Sequence, residues 1–390
     1  MRRILLSTLG TLGDVIPFAR LAERLLARGH EVTVHSWQQF ATWFPAGTTF
    51  VAIAEGVDAG ELHATLDEAL RAPTFVTQKQ RFARMFYGLG DGTTRARAGY
   101  ERARQVIAGQ DFAVINVLDH VAQLAAIDAG VPWASYASRP PPALGDADPL
   151  NAELDDELSE LLASVTGKRR RVRMFREFSE RLAFAACSPQ LLPDELRHVI
   201  DATGPWLARA EAPAPLQPAL DAFVSDGDCL FATFGTMPDV FGRTAALIAG
   251  AAASGWRAVV QVLPPLAVPD RVPERVFVLR DRVAFDALVP RVVAVVHHGS
   301  VGTTHEVLRA GKPSFVVPHM GDQFFWAHML YVRGLAPQHV PHVMIQPNVI
   351  AERMAALRDP RLAQNAAALA PVIAAQDGVG RAAERIEEVA

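Results

Sequence analysis

A run of small and polar residues at positions 297–306 is the part of the sequence best suited to binding an anion. It reads His-His-Gly-Ser-Val-Gly-Thr-Thr-His-Glu and lies between an apolar run typical of a buried strand and a helical pattern. At such a turn the first N–H groups of the helix are unpaired, and the helix dipole adds partial positive charge. Gly299 and Gly302 permit close backbone approach, while His298 and Thr303 can donate hydrogen bonds. The segment predicts a diphosphate site.

A second polar turn, at residues 10–14, carries a carboxylate. The sequence Gly-Thr-Leu-Gly-Asp follows the apolar run 4–6 and precedes apolar residues at helical spacing. Ligands of open α/β sheets bind outside the carboxyl ends of the strands, so Asp14 is a candidate general base. The alternative is that Asp14 caps a helix beginning near Val15, and the two roles are compatible.

Strand-like runs alternate with helical stretches along the chain, which predicts an α/β protein with parallel sheets. The predicted strands lie at residues 4–6, 32–34, 113–116, 133–135, 230–234, 258–262, 276–279, 292–296 and 314–317. A proline-rich stretch at 207–218 is typical of a semi-rigid linker. We therefore predict an N-terminal domain at 1–206 and a C-terminal domain at 219–376.

Composition excludes several classes of protein. The chain has 390 residues, of which 50% are hydrophobic and 21% charged, and its net charge is −4. This composition argues against intrinsic disorder and against a dedicated nucleic-acid binder. The two cysteines fit a reducing cytoplasm, and no apolar run reaches the ~18 residues of a membrane span. We expect a cytoplasmic protein without a transmembrane segment.

A basic stretch at residues 168–182 is the remaining distinctive segment. It begins Lys-Arg-Arg-Arg-Val-Arg and continues with apolar residues at roughly helical spacing. It predicts either the solvated face of a helix or a basic amphipathic helix that contacts an anionic membrane or an acidic acceptor.

The continuation of the first polar run carries a family resemblance. Residues 311–323 read Gly-Lys-Pro-Ser-Phe-Val-Val-Pro-His-Met-Gly-Asp-Gln. Together with 297–306 they resemble the C-terminal signature of GT-B glycosyltransferases of the UDP-glycosyltransferase type, especially bacterial enzymes that modify natural products and sterols. The element Gly-Asp-Val-Ile-Pro at 13–17 is similar to that of one subgroup. The resemblance implies two Rossmann-like domains with parallel sheets facing across a cleft. It also implies that a helix at 377–390 packs back on the N-terminal domain.

The resemblance further implies a role for each matching residue. The donor diphosphate would be held by His298, Gly299, Ser300, Gly302, Thr303, Gly235 and Thr236. The donor base and ribose would contact Arg282, Val283 and Glu306, and the transferred sugar would contact Asp322, Gln323 and His319. Asp14 would be the catalytic base, and Asp119 stands where relatives with a histidine base carry a second catalytic residue, an acid that orients the imidazole. The acceptor would contact Thr11, Leu12, His120 and Phe86, and Asp119 is an alternative acceptor contact.

Two departures from the family pattern concern the donor site. Ser300 replaces a second glycine and adds a side chain beside the phosphates. Arg282 stands where relatives carry a tryptophan that stacks on the donor base, and an arginine plane can also stack.

The implied activity is inverting, metal-independent transfer of a hexose or deoxyhexose from a UDP- or dTDP-sugar. The acceptor would be a hydroxyl of an apolar small molecule such as a polyketide or macrolide, with no cofactor besides the sugar nucleotide, and the protein would be a monomer or homodimer. Two alternatives remain, a non-catalytic helper protein that binds nucleotide sugars and a nucleotide-sugar epimerase of the same fold. A dinucleotide-dependent oxidoreductase is disfavoured because the first turn lacks the G-x-G-x-x-G pattern.

Overall fold

The computed structural model describes residues 1–53, 58–72, 74–88, 92–140, 149–174, 177–207 and 215–390. The chain forms two compact units. Unit 1 consists of Met1–Pro189, Pro193–Trp206 and Asp377–Ala390, and unit 2 consists of Gln190–Leu192 and Leu207–Gln376. Of the linker predicted at 207–218, residues 208–214 lie outside the described residues, and Pro218 is the first residue of a helix.

Unit 1 is built on a seven-stranded sheet. Its strands are β1 (Arg3–Ser7), β2 (Glu31–Ser36), β3 (Thr49–Ala52), β4 (Phe112–Asn116), β5 (Trp133–Ala137), β6 (Ala183–Ala185) and β7 (Asp201–Ala202). The order is β3-β2-β1-β4-β5-β6-β7, and neighbouring strands pair in parallel. Its first six helices are α1 (Leu12–Ala27), α2 (Ala59–Leu70), α3 (Phe75–Tyr87), α4 (Thr94–Ile107), α5 (His120–Ala129) and α6 (Pro149–Thr166).

Unit 2 is built on a five-stranded sheet. Its strands are β8 (Cys229–Thr233), β9 (Arg257–Gln261), β10 (Val276–Leu279), β11 (Ala294–His297) and β12 (Ser314–Val316). The order is β10-β9-β8-β11-β12, again with parallel pairing. Its helices are α7 (Pro218–Ser225), α8 (Arg243–Ala253), α9 (Phe285–Leu288), α10 (Val301–Arg309), α11 (Asp322–Val332), α12 (Pro347–Ala356) and α13 (Pro360–Ala374). The predicted α/β class with two parallel sheets is confirmed, and each predicted strand overlaps an observed one.

The central strands of unit 2 are buried on both faces, which explains their uninterrupted apolar sequences. On β8, Leu230 and Ala232 belong to one buried cluster, together with Leu247 of α8. Phe231 points to the opposite face and belongs to a second cluster that includes Leu288 of α9. Because all five strands run in parallel, their carboxyl ends meet at one edge, where the turns that carry the candidate residues begin.

The basic segment at 168–182 does not form the predicted helix where the structure describes it. Helix α6 ends at Thr166, and Gly167 adopts a φ of +73° that interrupts the helix. Beyond it, Val172 and Met174 are buried, and their N–H groups donate to Ser159 Oγ (2.9 Å) and Asp155 Oδ1 (2.8 Å) of α6. The alternation of buried and exposed residues is that of extended chain, so the helical prediction is wrong; residues 175–176 lie outside the described residues.

Across the described parts of the chain, no helix combines the length and the apolar character needed to cross a membrane.

The last helix, α14 (Gly378–Val389), belongs to unit 1 although it follows unit 2 in the chain. Its apolar face is buried, and its charged face pairs with α1 and with the turn that follows α1. Glu387 accepts hydrogen bonds from Arg28 Nε (2.8 Å) and lies 2.8 Å from His30 Nε2. At the N-terminus, Asp377 accepts from the Gly380 N–H and pairs with Arg24. Ion pairs therefore fix both ends of α14.

Replacing Glu387 by glutamine is expected to lower the free energy of unfolding at neutral pH. Hydrogen bonds from Arg28 and His30 lower the pKa of Glu387 from 4.5 to about 2. A group whose folded-state pKa is depressed stabilises the fold above its unfolded pKa, and this stabilisation is lost as the pH falls through the folded value. Urea denaturation should therefore show a difference between Glu387→Gln and wild type that is full at pH 7 and shrinks between pH 4.5 and 2.

Glu388→Gln is the matched control, because Glu388 pairs with Arg385 of the same helix. We expect it to change the free energy of unfolding by less than about 0.5 kcal/mol. Equal losses in the two variants, or a Glu387→Gln loss that does not vary with pH, would contradict the assignment.

Candidate active site

The turn between β11 and α10 is shaped by Gly299. This residue has a φ of +93°, and a Cβ atom placed on it would lie 2.8 Å from Val316 Cγ1 and 3.1 Å from the Gln323 carbonyl oxygen. Only glycine fits this conformation and this space without displacing β12 or α11. Ser300 then serves as the N-cap residue in extended backbone, and α10 begins at Val301.

His297 uses both ring nitrogens inside the protein. The Gly299 N–H donates to His297 Nδ1 (3.0 Å), so the hydrogen of the neutral ring is on Nε2, which lies 3.0 Å from Ser314 Oγ. The Gly299 N–H, which was predicted to hold the diphosphate, is therefore already paired within the turn. The groups suited to an anion are the next N–H groups, at the start of α10, because the first turn of a helix offers them no partner within the helix.

The extra side chain at position 300 is accommodated. Ser300 Oγ donates to Thr303 Oγ1 (3.1 Å), one helical turn further on. The Thr303 hydroxyl thereby keeps its own hydrogen available for another acceptor. The departure from the family's glycine is thus compatible with a ligand at the start of α10.

His298 is a neutral side chain at this site. It is 8% exposed, and burial together with the charge of Arg243 lowers its pKa to about 4. Its Nδ1 is buried and has no hydrogen-bond partner among the described residues. Gly235, with a φ of +59°, lies against the ring, since a Cβ there would be 3.3 Å from His298 Cε1. A neutral His298 can donate one hydrogen bond to a ligand but brings no positive charge.

Arg243 supplies the positive charge, and sequence reasoning missed it. It is the first residue of α8 and is 1% exposed. Burial, together with the charge of Arg243, lowers the pKa of both His298 and His319. Gly242 precedes it with a φ of +67°. The only sequence signal was an arginine shortly after the Gly235 turn, and the sequence does not show which of many arginines is buried.

Gln323 holds the turn that precedes α11. Its Oε1 accepts from the backbone N–H groups of His319 (2.8 Å) and Met320 (3.3 Å), while its Nε2 lies 4.0 Å from Met237 Sδ. Asp322 is the first residue of α11 and is half-buried. These contacts bring His319, Gln323 and the loop after β8 together.

The residues predicted for the base and ribose lie further along the sheet edge. Arg282 is exposed and Val283 half-buried, both after the edge strand β10. Glu306 lies on α10 and forms an ion pair with Arg309 one turn later. Two hydrogen bonds connect the carboxyl ends of β8 and β9 with the chain after β10. Thr233 Oγ1 donates to Gln261 Oε1 (2.7 Å), and Gln261 Nε2 donates to the Asp281 carbonyl oxygen (2.9 Å). Thr236 is exposed on the loop after β8.

In unit 1, Asp14 is the third residue of α1 and is half-buried. Its Oδ2 accepts from the Thr11 N–H (2.8 Å) and from Thr11 Oγ1 (3.2 Å). The helix begins at Leu12, and Thr11 is its N-cap residue. The alternative prediction, that Asp14 caps a helix beginning near Val15, is therefore wrong, because the helix starts three residues earlier. Asp14 instead lies inside the first turn, and its side chain accepts a hydrogen bond from the backbone of the N-cap residue. This bond orients the carboxylate at the carboxyl end of β1.

Asp119 is more deeply enclosed than Asp14. It is 2% exposed; its Oδ2 accepts from Ser7 Oγ (2.7 Å), and its Oδ1 accepts from the Ala122 N–H (3.0 Å) as the cap of α5. Burial raises its pKa. Ser7 Oγ also lies 3.0 Å from His35 Nδ1, so a buried hydrogen-bond chain connects β1, β2 and α5.

The predicted acceptor residues are mostly interior. Leu12 and His120 are buried, and the His120 ring lies 3.0 Å from Gln123 Oε1 and packs on Tyr87. Phe86 is half-buried, with its ring centroid 5.7 Å from that of Trp37. Thr11 is half-buried at the start of α1. Of these four residues, Thr11 is hydrogen-bonded to Asp14. Phe86 and His120 instead pack in an aromatic cluster with Trp37 and Tyr87.

Over the described ranges, the structure contains no group of three His, Cys, Asp or Glu side chains arranged to hold a metal ion.

A comparison with known proteins finds a matching family for the C-terminal part of the chain. Residues 259–389 match the family described as erythromycin biosynthesis protein CIII-like, C-terminal domain. The chain is 27% identical to glycosyltransferase GtfE of Amycolatopsis orientalis over 86% of both chains. It is 38% identical to sterol 3-beta-glucosyltransferase UGT80B1 of Arabidopsis thaliana over 29% of this chain, and the match spans 18% of that relative's length.

Solved structures share the whole fold. The crystal structure of the glycotransferase of kitacinnamycin has a TM-score of 0.73 and 19% identity, and it covers 99% of this chain and 98% of its own. The Streptomyces sp. SF2575 glycosyltransferase SsfS6, complexed with thymidine diphosphate, has a TM-score of 0.66 and 21% identity over 100% of both chains. These are GT-B structures, and the chain has the GT-B fold.

The two glycines of the β11–α10 turn are expected to respond differently to alanine. Gly299→Ala should lower the free energy of unfolding by at least about 1 kcal/mol, because the new Cβ is strained at positive φ and meets Val316. Gly302→Ala adds a Cβ that meets nothing within 4 Å inside the first turn of α10, so its stability should equal or exceed that of wild type. Chemical denaturation measures both; equal losses would show that the turn is not constrained as described.

Proposed function

We propose that the chain is a glycosyltransferase of the natural-product type. It moves a hexose or deoxyhexose from a UDP- or dTDP-sugar to a hydroxyl of an apolar small molecule, with inversion and without a metal. The observation that carries the proposal is the buried His298, which directly precedes the turn into α10 and whose Nδ1 has no hydrogen-bond partner among the described residues. The names of the relatives, which are natural-product and sterol glycosyltransferases, support it.

The groups at the start of α10 suit a diphosphate. The helix N-terminus offers N–H donors, Thr303 offers a hydroxyl, and His298 donates when its hydrogen is on Nδ1. Arg243 offers a full positive charge in a buried setting, where an adjacent anion offsets the cost of burying a cation. As the sugar leaves, charge develops on the diphosphate, and these fixed donors stabilise it without having to reorganise.

We assign the remaining parts of the donor from the family resemblance. Glu306, held by Arg309, accepts hydrogen bonds from the ribose, and Arg282 stacks on the base. Asp322 and the turn at 319–323 face the sugar. A nucleoside diphosphate is supported by the relative that was solved with thymidine diphosphate.

Asp14 is proposed as the base. It accepts the proton of the acceptor hydroxyl, whose oxygen then forms a bond to the anomeric carbon as the bond from that carbon to the diphosphate breaks. A single displacement inverts the configuration. Asp119 is assigned a positioning role instead, because both of its oxygens already accept hydrogen bonds from Ser7 and the α5 backbone.

The direct test uses the purified chain with UDP-glucose and dTDP-glucose, a panel of polyketide, macrolide and sterol acceptors, and a chelator. We expect release of nucleoside diphosphate and formation of a glycoside despite the chelator. Epimerised nucleotide sugar without transfer would instead indicate the epimerase, and tight binding without turnover would indicate a helper protein.

Asp14→Asn is expected to lower kcat at least 100-fold, since a positioned general base contributes about 10²–10⁴ in rate. The asparagine carbonyl can still accept from the Thr11 N–H, so the melting temperature and the Kd for the nucleotide should change little. Asp58→Asn is the control, because the Asp58 carboxylate also accepts a hydrogen bond from a backbone N–H, that of Glu61, at the start of a helix. An Asp14→Asn variant that retains more than a tenth of the wild-type kcat would overturn the assignment.

A further inference from the structure

Thr8 joins the turn that carries Asp14 to the sheet of unit 1. It directly follows β1 and is fully buried. Its N–H donates to the His35 carbonyl oxygen (3.0 Å), and its own carbonyl oxygen accepts from Ser36 Oγ (2.9 Å). Both partners belong to β2, so the neighbouring strand fixes the backbone of Thr8 and leaves its hydroxyl for a different task.

The direction of the Thr8 hydroxyl follows from Asn116. This residue ends β4, is buried, and accepts a hydrogen bond at Oδ1 from the Leu118 N–H (3.0 Å). The nitrogen end of its amide therefore faces Thr8, and Nδ2 donates to Thr8 Oγ1 (3.3 Å). Because an amide nitrogen can only donate, the hydrogen of the hydroxyl is left for another acceptor. That acceptor is the backbone carbonyl oxygen of Asp14, 3.2 Å from Thr8 Oγ1.

The side chain and the main chain of Asp14 are therefore held by different residues. The carboxylate accepts from Thr11, which lies in the same turn, and it packs on Gly10, where an added Cβ atom would overlap Asp14 Oδ2. These contacts fix the carboxylate relative to the turn. The bond from Thr8 fixes the main chain of Asp14 relative to β1, and Asn116 extends this connection to β4.

We propose that Thr8 is a positioning residue for Asp14. The proposal rests on the proposed function, because it requires that Asp14 accepts the proton of the acceptor hydroxyl. A general base must lie within hydrogen-bond reach of that proton, and a misplacement of about 1 Å can lower the rate about a hundredfold. The Thr8 hydroxyl is buried and acts only through Asp14: it holds the main chain of the base on the sheet and thereby keeps the carboxylate within reach.

Two substitutions isolate the hydroxyl of Thr8. Thr8→Val keeps the shape of the side chain and removes the hydrogen bond to Asp14, whereas Thr8→Ser keeps the hydroxyl and removes the methyl group. Thr33→Val in β2 is the matched control, because Thr33 Oγ1 accepts from the side-chain amide of Gln110 at the same distance of 3.3 Å. Melting temperatures set the assay temperature, which is chosen so that every variant is folded.

The assay uses UDP-glucose or dTDP-glucose with an acceptor that wild type turns over, and calorimetry measures the Kd for UDP and dTDP alone. Thr8→Val should lower kcat about tenfold to a hundredfold and leave the acceptor KM and the nucleotide Kd unchanged. Thr8→Ser and Thr33→Val should keep the kcat of wild type. In the Asp14→Asn background, Thr8→Val should lower kcat no further, because a positioning residue has no effect once the group that it positions is removed.

A folded Thr8→Val variant with the kcat of wild type would overturn the proposal, and so would an equal loss in Thr33→Val. The same fractional loss from Thr8→Val in the wild-type and Asp14→Asn backgrounds would show that the hydroxyl acts independently of Asp14, which also contradicts it. These results leave the glycosyltransferase function intact. Full kcat in Asp14→Asn alone removes the assignment of the base, and absence of turnover in wild type removes the proposed function; this inference falls with either.

Discussion

The turn after β11 comes within contact distance of β12 and of the first turn of α11 because position 299 has no side chain. Three elements therefore converge at one point of the sheet edge, and their distances are set by backbone packing rather than by long side chains. His297 strengthens the same point by bonding to the turn and to Ser314. The start of α10, the imidazole of His298 and the turn at 319–323 all take their positions from this contact. A rigid scaffold of this kind holds donors in place before a ligand arrives.

Charge and direction are supplied by different residues in unit 2. Arg243 carries the positive charge, and burial together with this charge lowers the pKa of His298 and His319, so both imidazoles are neutral. Neutral imidazoles are directional, because one nitrogen donates and the other accepts. The arrangement therefore combines a non-specific attraction for an anion with hydrogen bonds that depend on the shape and chemistry of the ligand.

The sequence predicted the strands and the polar turns well because buried parallel strands leave long apolar runs and because glycine-rich turns follow them directly. It could not predict the burial of Arg243, which depends on where α8 packs, or the inward-facing amide of Gln323. The start of α1 was misplaced because Thr11 and Asp14 are both good capping residues, and only the backbone shows which one is the cap. The segment 168–174 was misread because a basic run flanked by apolar residues has no unique periodicity, and Gly167 decides the outcome.

The position of α14 makes unit 1 discontinuous along the chain, with unit 2 inserted between its sheet and its last helix. During synthesis, the seven strands of unit 1 leave the ribosome long before the helix that covers α1. Arg28 and His30 cannot form their contacts with Glu387 until the whole of unit 2 has been synthesised. All residues of unit 2 are therefore synthesised before those of unit 1 are complete. Unit 1 starts to be translated first, but it can finish folding only after α14 has been made.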